Sequence, residues 1–314
     1  MKNHSALFSV LPLVAAISLS AQAASHNKLV YIDEYDTNGD RAVSLREFDV
    51  IRAARFAYTD ADGNGIVNEA EYVTEYQTRL NAKLGEERIG HIKQAFIRFG
   101  SLDEDDDKKI TRTEMNASGE RSFSRFDENK DGVINDKDTA TTEFESEGTE
   151  LTEEEEERLL NRQLASAKRL LSIPSTHSRH GMMRKYDTNK DGVITRKEFY
   201  TLREQSFTFT DTNKDGWLSD AEYIAEYAGR VDRNIAETRE KQIKQTYVRF
   251  GVLDKNKNGE MTFGEYQSSG HNTFTRWDTD KDGYVSIDDP DPLPADERPG
   301  DAIAQQQRIN RPVY

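Results

Sequence analysis

The chain of 314 residues lacks cysteine, so it has neither disulfide bonds nor thiolate metal ligands. Basic residues are few relative to acidic ones: 43 lysines and arginines stand against 58 aspartates and glutamates, and the formal net charge is −15. This acidity argues against nucleic acid and anionic membranes as partners. The chain also lacks a Ser/His/Asp or Cys/His pattern and a glycine-rich phosphate loop, which argues against an enzyme.

Long apolar runs are absent except at the start of the chain. Leu7 to Leu19 forms one such run, interrupted by Pro12, after a positive charge at Lys2 and before an Ala21-Gln22-Ala23 cleavage pattern. Because this run is too short to span a bilayer, residues 1–23 are predicted to be a signal peptide. We therefore expect export across a bacterial inner membrane to the periplasm or beyond, with no membrane insertion after the signal is removed.

A twelve-residue pattern is abundant instead. Residues 187–198 read DTNKDGVITRKE, with side-chain oxygens at positions one, three, five, nine and twelve and Gly192 at position six. Calcium prefers six to eight oxygen ligands, and glycine allows the sharp turn that wraps the chain around the ion. The spacing is that of an EF-hand calcium loop.

The pattern occurs eight times, four times in full and four times with one departure. The candidate ligands are, loop by loop, Asp36, Asn38, Asp40, Ser44, Glu47; Asp60, Asp62, Asn64, Asn68, Glu71; Asp103, Asp105, Asp107, Thr111, Glu114; Asp127, Asn129, Asp131, Asn135, Asp138; Asp187, Asn189, Asp191, Thr195, Glu198; Asp211, Asn213, Asp215, Ser219, Glu222; Asp254, Asn256, Asn258, Thr262, Glu265; and Asp278, Asp280, Asp282, Ser286, Asp289.

The four departures predict weaker or altered sites. Arg41 and Lys108 replace the position-six glycine of loops one and three, at a cost of about 1 kcal/mol for a left-handed non-glycine residue. Loops four and eight end in Asp138 and Asp289, one methylene shorter than glutamate. A smaller coordination shell there would be more tolerant of Mg²⁺.

The second half of the chain repeats the first at an offset of 151 residues, as from Asp36 to Asp187. The resemblance extends between the loops: IKQAFIRFG at residue 92 corresponds to IKQTYVRFG at residue 243. This internal duplication predicts a first four-loop module over 24–142, a charged linker over 143–179 and a second module over 180–290. A proline-rich flexible tail is predicted over 291–314.

Loop spacing predicts which loops pair. Only residues 48–59 separate loops one and two, so one helix should serve both, with Phe48, Ile51 and Tyr58 on one helical face. The longer spacing after loop two leaves room for two helices with a break near Gly85. Loop two would then pair with three and one with four, six with seven and five with eight. The expected bridges are Val67–Ile110, Val43–Ile134, Leu218–Met261 and Ile194–Val285; pairing of one with two and three with four is the alternative.

The linker contains one predicted helix, from Leu151 to Leu171, with a capping box of Thr152 and Glu155. Leu160, Leu164, Ala167 and Leu171 form an apolar stripe, which indicates either a helix packed on a module or one that binds a partner. Pro174 should end it. His177 and His180 lie beyond it, without the acidic neighbours of a zinc site.

These loops resemble those of the EF-hand superfamily, and within it the exported bacterial proteins with many EF-hands. The resemblance implies an all-α fold of two tandem four-loop modules, with short β-bridges between paired loops, and Ca²⁺ as the bound ion. It supplies no biological role. One hypothesis is an exported protein that buffers calcium or is stabilised by it. The alternative is a calcium-dependent sensor or adaptor for a protein partner, which the scarcity of methionine disfavours.

Overall fold

The computed structural model describes residues 27–138, 152–173 and 176–292. These residues are mostly helical, with short antiparallel strand pairs, as an all-α EF-hand fold requires. In chain order the elements are α1 Lys28–Tyr35, β1 Ala42–Ser44, α2 Leu45–Thr59, β2 Ile66–Asn68, α3 Glu69–Leu102, β3 Lys109–Thr111, α4 Arg112–Phe126, β4 Val133–Ile134, α5 Glu153–Ala167, α6 Arg179–Tyr186, β5 Ile194–Thr195, α7 Arg196–Thr210, β6 Trp217–Ser219, α8 Asp220–Leu253, β7 Glu260–Thr262, α9 Phe263–Trp277 and β8 Tyr284–Ser286.

None of the described helices combines the length and apolar character that crossing a lipid bilayer requires. The predicted signal peptide, the residues after 292 and Pro174 lie outside the described residues.

A single helix, α2, joins the first two loops, as the spacing predicted. Of the three residues predicted to share one face, Phe48 is buried and Ile51 is half-buried, but Tyr58 is 64% exposed; the buried face consists of Phe48, Arg52, Phe56 and Thr59. These four residues follow a spacing of three to four, which keeps them on one side of the helix.

The longer connections are single helices of 34 residues, α3 and α8. The break expected near Gly85 does not exist, because Leu80 and Leu84 continue a buried stripe up to the glycine and Gly85 keeps a helical backbone. The internal repeat of the sequence contains evidence that the helix continues through this position. The residue equivalent to Gly85 in the second half is Ala236, a strong helix former.

Replacing Gly85 with alanine should stabilise the protein by about 0.5–1 kcal/mol, since glycine loses more backbone entropy than alanine in a helix. Gly85 is exposed and a Cβ there would contact nothing within 4 Å. The matched reverse change, Ala236→Gly, should destabilise by a similar amount. Urea unfolding of both variants measures the difference. A destabilised Gly85→Ala variant would contradict the continuous helix.

Each strand pairs with a strand from the other half of the chain, so the predicted pairing is wrong. β1 pairs with β8 through Val43 and Val285, and β2 pairs with β7 through Val67 and Met261. β3 pairs with β6 through Ile110 and Leu218, and β4 pairs with β5 through Ile134 and Ile194. The physical reason is the continuity of α3 and α8. A helix that does not fold back cannot bring the strands at its two ends together.

The described residues form two compact units, and each combines segments from both halves. The first unit contains residues 27–79 and 245–292, and the second contains the described residues between 80 and 244. The first therefore holds loops one, two, seven and eight, and the second holds loops three to six. Phe56, Val67, Phe250, Leu253, Met261 and Tyr266 form an apolar core in the first unit. Phe123, Phe126, Ile134, Met182, Tyr186, Ile194 and Phe199 form one in the second.

The linker helix α5 begins at its predicted capping box, in which the Thr152 side chain accepts from the Glu155 backbone N–H. It ends at Ala167, four residues before the predicted end. The segment after α5 is held within the second unit by hydrogen bonds, because the Glu87 carboxylate accepts from the backbone N–H groups of Leu170 and Leu171. Leu171 is buried but lies beyond the end of the helix, whereas the stripe residues within the helix, Leu160, Leu164 and Ala167, are only half-buried.

Candidate metal centres

All eight loops share one backbone conformation, in which positions four and six have positive φ. At position six Gly192 has φ 82°, and the two non-glycine residues there, Arg41 and Lys108, have φ 67° and 65°. Both therefore adopt the strained left-handed conformation expected of them. The remaining position-six residues in this conformation are Gly65, Gly132, Gly216, Gly259 and Gly283.

The position-one aspartate organises each turn. In loop two, Asp60 Oδ2 accepts from the Gly65 backbone N–H at 2.8 Å. The same bond joins Asp36 to Arg41 and Asp103 to Lys108, at 2.9 Å in each case. Loops four to seven repeat it through Asp127, Asp187, Asp211 and Asp254. The other oxygen, Oδ1, also accepts from a backbone N–H in loops one, two, three, five and seven, as Asp60 Oδ1 does from Asn64, whereas it has no partner among the described residues in loops four and six.

The position-twelve glutamate closes the loop. Glu114 Oε2 accepts from the Thr111 backbone N–H and hydroxyl at position nine, and its Oε1 accepts from the Glu104 N–H at position two, at 2.8 Å. The same position-nine capping occurs at Glu47, Glu198, Glu222 and Glu265, and Asn68 takes this place before Glu71. Each last carboxylate is thus held against the first residues of its loop.

These hydrogen bonds keep the closing glutamates ionised. Burial would raise the pKa of Glu222, but bonds from Ser219, Asn213 and Thr212 outweigh it and lower the pKa to about 2. The backbone N–H and hydroxyl of Thr195 lower the pKa of Glu198. The last side chain of these loops is therefore negatively charged at neutral pH.

The two loops that end in aspartate close in the same way. Asp138 Oδ2 accepts from the Asn135 N–H and Asp289 Oδ2 from the Ser286 N–H, both at 2.8 Å. Both aspartates are buried. Their backbone carbonyls accept from Arg179 and Lys28, respectively. From the sequence, Lys28 and Arg179 were not identified as contacts of these loops. Both are basic and lie at equivalent positions of the repeat, 151 residues apart, which could have indicated a shared role.

Three of the eight loops bring three carboxylates together, such that one oxygen of each lies within 4.8 Å of the others. In loops one, four, five and six, an asparagine at position three instead donates its amide to the position-five aspartate, as Asn38 does to Asp40 at 2.8 Å. Loop seven has asparagine at positions three and five and only two carboxylate ligands. The three clusters are Asp60, Asp62 and Glu71; Asp103, Asp105 and Glu114; and Asp278, Asp280 and Asp282.

The burial of several position-one carboxylates is a separate indication that these loops hold a cation. The Oδ1 atoms of Asp127, Asp211 and Asp278 are buried without a hydrogen-bond partner among the described residues. A buried carboxylate oxygen that lacks a partner is costly unless a cation accompanies it. Burial and then the charges of Asp289 and Asp282 raise the pKa of Asp278, so this loop holds excess negative charge. Oxygen-only donors of this kind suit a hard cation such as Ca²⁺.

Comparison with known proteins supports this interpretation of the loops. Residues 179–203, which include loop five and the start of α7, match the family model described as EF hand. Neither the curated proteins nor the solved structures compared with the chain gave a match. The matched segment supports assignment of these loops to the EF-hand superfamily, since the other described loops share its backbone conformation and its antiparallel strand pairing.

Proposed function

We propose that the protein binds calcium through eight EF-hand loops that arose by internal duplication of a four-loop set. The observation that carries this proposal is the buried, unpartnered carboxylate oxygen at position one of loops four, six and eight. Ion binding at all eight loops is supported by their shared backbone conformation and by the closing carboxylate at position twelve. Asp138 and Asp289 make loops four and eight the candidates for Mg²⁺ binding.

The role we propose is calcium buffering, or stabilisation by calcium, outside the cytoplasm and without catalysis. The predicted signal peptide supports export. A sensor would present a methionine-rich groove to its partner. Met182 and Met261 are instead buried in the cores of the two units, which favours buffering over partner binding.

Calorimetric titration of the chelator-treated protein tests the proposal, with Glu71→Gln and Glu222→Gln as the variants. Glutamine can keep the position-nine capping hydrogen bonds through its single oxygen, but it removes the charge and the second oxygen of the bidentate ligand. Each variant should therefore lose one calcium site and keep its fold by circular dichroism. Weak or absent calcium uptake by the unmodified protein at millimolar concentrations would overturn the proposal.

Neutralising neighbouring acids that are not ligands provides matched controls. Glu69 and Asp220 are exposed and lie in the first turns of α3 and α8, next to the closing glutamates. Glu69→Gln and Asp220→Asn remove the same charge and should keep the full number of sites. If the controls lose as much calcium as the ligand variants, general acidity and not loop geometry governs binding.

A further inference from the structure

The first compact unit contains a cavity of about 210 Å³ whose walls carry tyrosine hydroxyls, arginine guanidinium groups and one carboxylate, that of Glu75, which is paired with Arg79. It lies among α1, α2, α9, the start of α3 and the end of α8. None of its lining residues is among the predicted calcium ligands. We propose that this cavity binds a small organic acid, with the carboxylate held by the arginines and an apolar or aromatic body on the cavity floor.

Two arginines in the wall lack a carboxylate partner among the described residues. Arg52 is 8% exposed, and its guanidinium donates to the Gln267 side-chain oxygen at 3.3 Å and to the Tyr266 carbonyl, both neutral acceptors. Arg249 is half-buried and hydrogen-bonds with the Tyr72 hydroxyl. A buried cation without a counter-ion is unfavourable. An anion in the cavity would supply the missing charge, and guanidinium matches a carboxylate with two parallel hydrogen bonds.

Tyr31 provides a second, independent indication of a ligand. Its side chain lines the cavity and is 1% exposed, and its hydroxyl has no hydrogen-bond partner among the described residues. Burial raises the pKa of this tyrosine, so the hydroxyl stays protonated and can donate. A buried donor without an acceptor costs free energy that a bound carboxylate would recover.

The rest of the wall suits the body of such a molecule. Phe56, Leu253 and Met261 contribute apolar surface, and the Tyr266 ring lies 3.6 Å from the Arg52 guanidinium carbon. A cavity of about 150 Å³ lined by apolar groups can hold benzene. The volume here therefore accommodates a ring bearing one carboxylate. Because the whole protein is strongly acidic, general charge attraction would not bring an anion to this place.

Comparison with the equivalent positions of the second unit distinguishes the residues that would bind the ligand from those that maintain the fold. At the offset of 151 residues, Arg52 and Arg249 correspond to Arg203 and Arg98, so the repeat keeps both arginines. Arg203 donates to the Met115 carbonyl as Arg52 does to that of Tyr266. Among the tyrosines and charged residues of the wall, those that differ are Tyr31, Arg55 and Tyr266, which correspond to Met182, Ser206 and Met115.

This difference assigns the acid site to the first unit. Met182 is fully buried in the apolar core of the second unit, where it replaces the unpartnered hydroxyl of Tyr31 with a thioether. Arg55 is already paired with Glu34, so the Tyr31 hydroxyl is the available donor that the second unit lacks. The second unit therefore serves as an internal control within the same molecule.

The test is an NMR titration of the calcium-loaded full chain with benzoate and, separately, with its neutral isostere benzamide. Benzoate should give saturable shifts confined to residues of the first unit. Arg249→Gln should weaken binding at least about tenfold, because it removes a charged hydrogen bond. Its matched control in the second unit, Arg98→Gln, should leave the affinity unchanged. Tyr31→Phe, which removes only the hydroxyl, should weaken binding by about three- to tenfold.

Three results would each overturn the proposal. One is the absence of saturable shifts up to about 10 mM benzoate, a ligand concentration that would reveal even weak binding. Another is equal binding of benzamide, which would show that the carboxylate is not recognised. The third is an equal loss of affinity in Arg249→Gln and Arg98→Gln. Thermal unfolding of each variant establishes that it is folded before its affinity is compared.

Discussion

Calcium at 5 mM should raise the melting temperature of the chelator-treated protein by about 10–30 °C. Extracellular calcium modules bind with dissociation constants of about 10⁻⁴–10⁻³ M, so one site contributes about 1–2.3 kcal/mol at this concentration. Each compact unit holds four loops, so filling them would add about 4–9 kcal/mol to its stability. Without the ion, the clustered carboxylates repel one another and oppose the folded loop.

Differential scanning calorimetry of residues 24–314 measures this shift, with 5 mM magnesium as the comparison. Magnesium should stabilise less, because its octahedral shell with short bonds fits fewer of these loops. The loops that end in Asp138 and Asp289 are the ones in which it should bind. A shift of only a degree or two with calcium would mean that the loops form without an ion, and calcium-dependent stabilisation would have to be abandoned.

Local features of the fold could be predicted from the sequence because they depend on residues close together in the chain. The left-handed conformations of Arg41 and Lys108 follow from their place in the loop pattern, and they are present. The helix shared by loops one and two follows from the short spacing between them. The matched EF hand at residues 179–203 supports the same assignment for the loop from which the pattern was first derived.

The choice of strand partner could not be predicted in the same way. Each of the eight strands has at most three residues and contributes one fully buried apolar side chain to its pair, such as Val43 or Ile110. Pairs of this kind are interchangeable in size and polarity, so local pattern does not select among them. The long helices α3 and α8 determine which strands can pair. In the sequence, Ala236 indicates that these helices are continuous. The basic residues Lys28 and Arg179 were missed because their acceptors are backbone carbonyls of residues far away in sequence.

Neither half of the chain should fold as a monomer when expressed alone. Strands β1 to β4 all find their partners in the second half. Val43, Val67, Ile110 and Ile134 are fully buried at those pairings. Exposing four such side chains would cost about 6–12 kcal/mol, which is comparable to the whole stability of a typical domain. The 24–145 and 146–314 fragments should therefore be unfolded separately, even with calcium present.

Mixing the two fragments should restore the fold as a 1:1 complex, since every strand then regains its partner. The repeat also allows each fragment to pair with itself at high concentration, because β1 with β8 is the equivalent of β5 with β4 at the offset of 151 residues. Sedimentation and circular dichroism distinguish these states. A folded monomer of either fragment at micromolar concentration would show that pairing within one half is sufficient, in contradiction to the strand order described here.

Val43→Asp in the first fragment should weaken the complex strongly, because it places a charge in a fully buried strand pair. Val50→Asp should not, because Val50 is an exposed residue of α2.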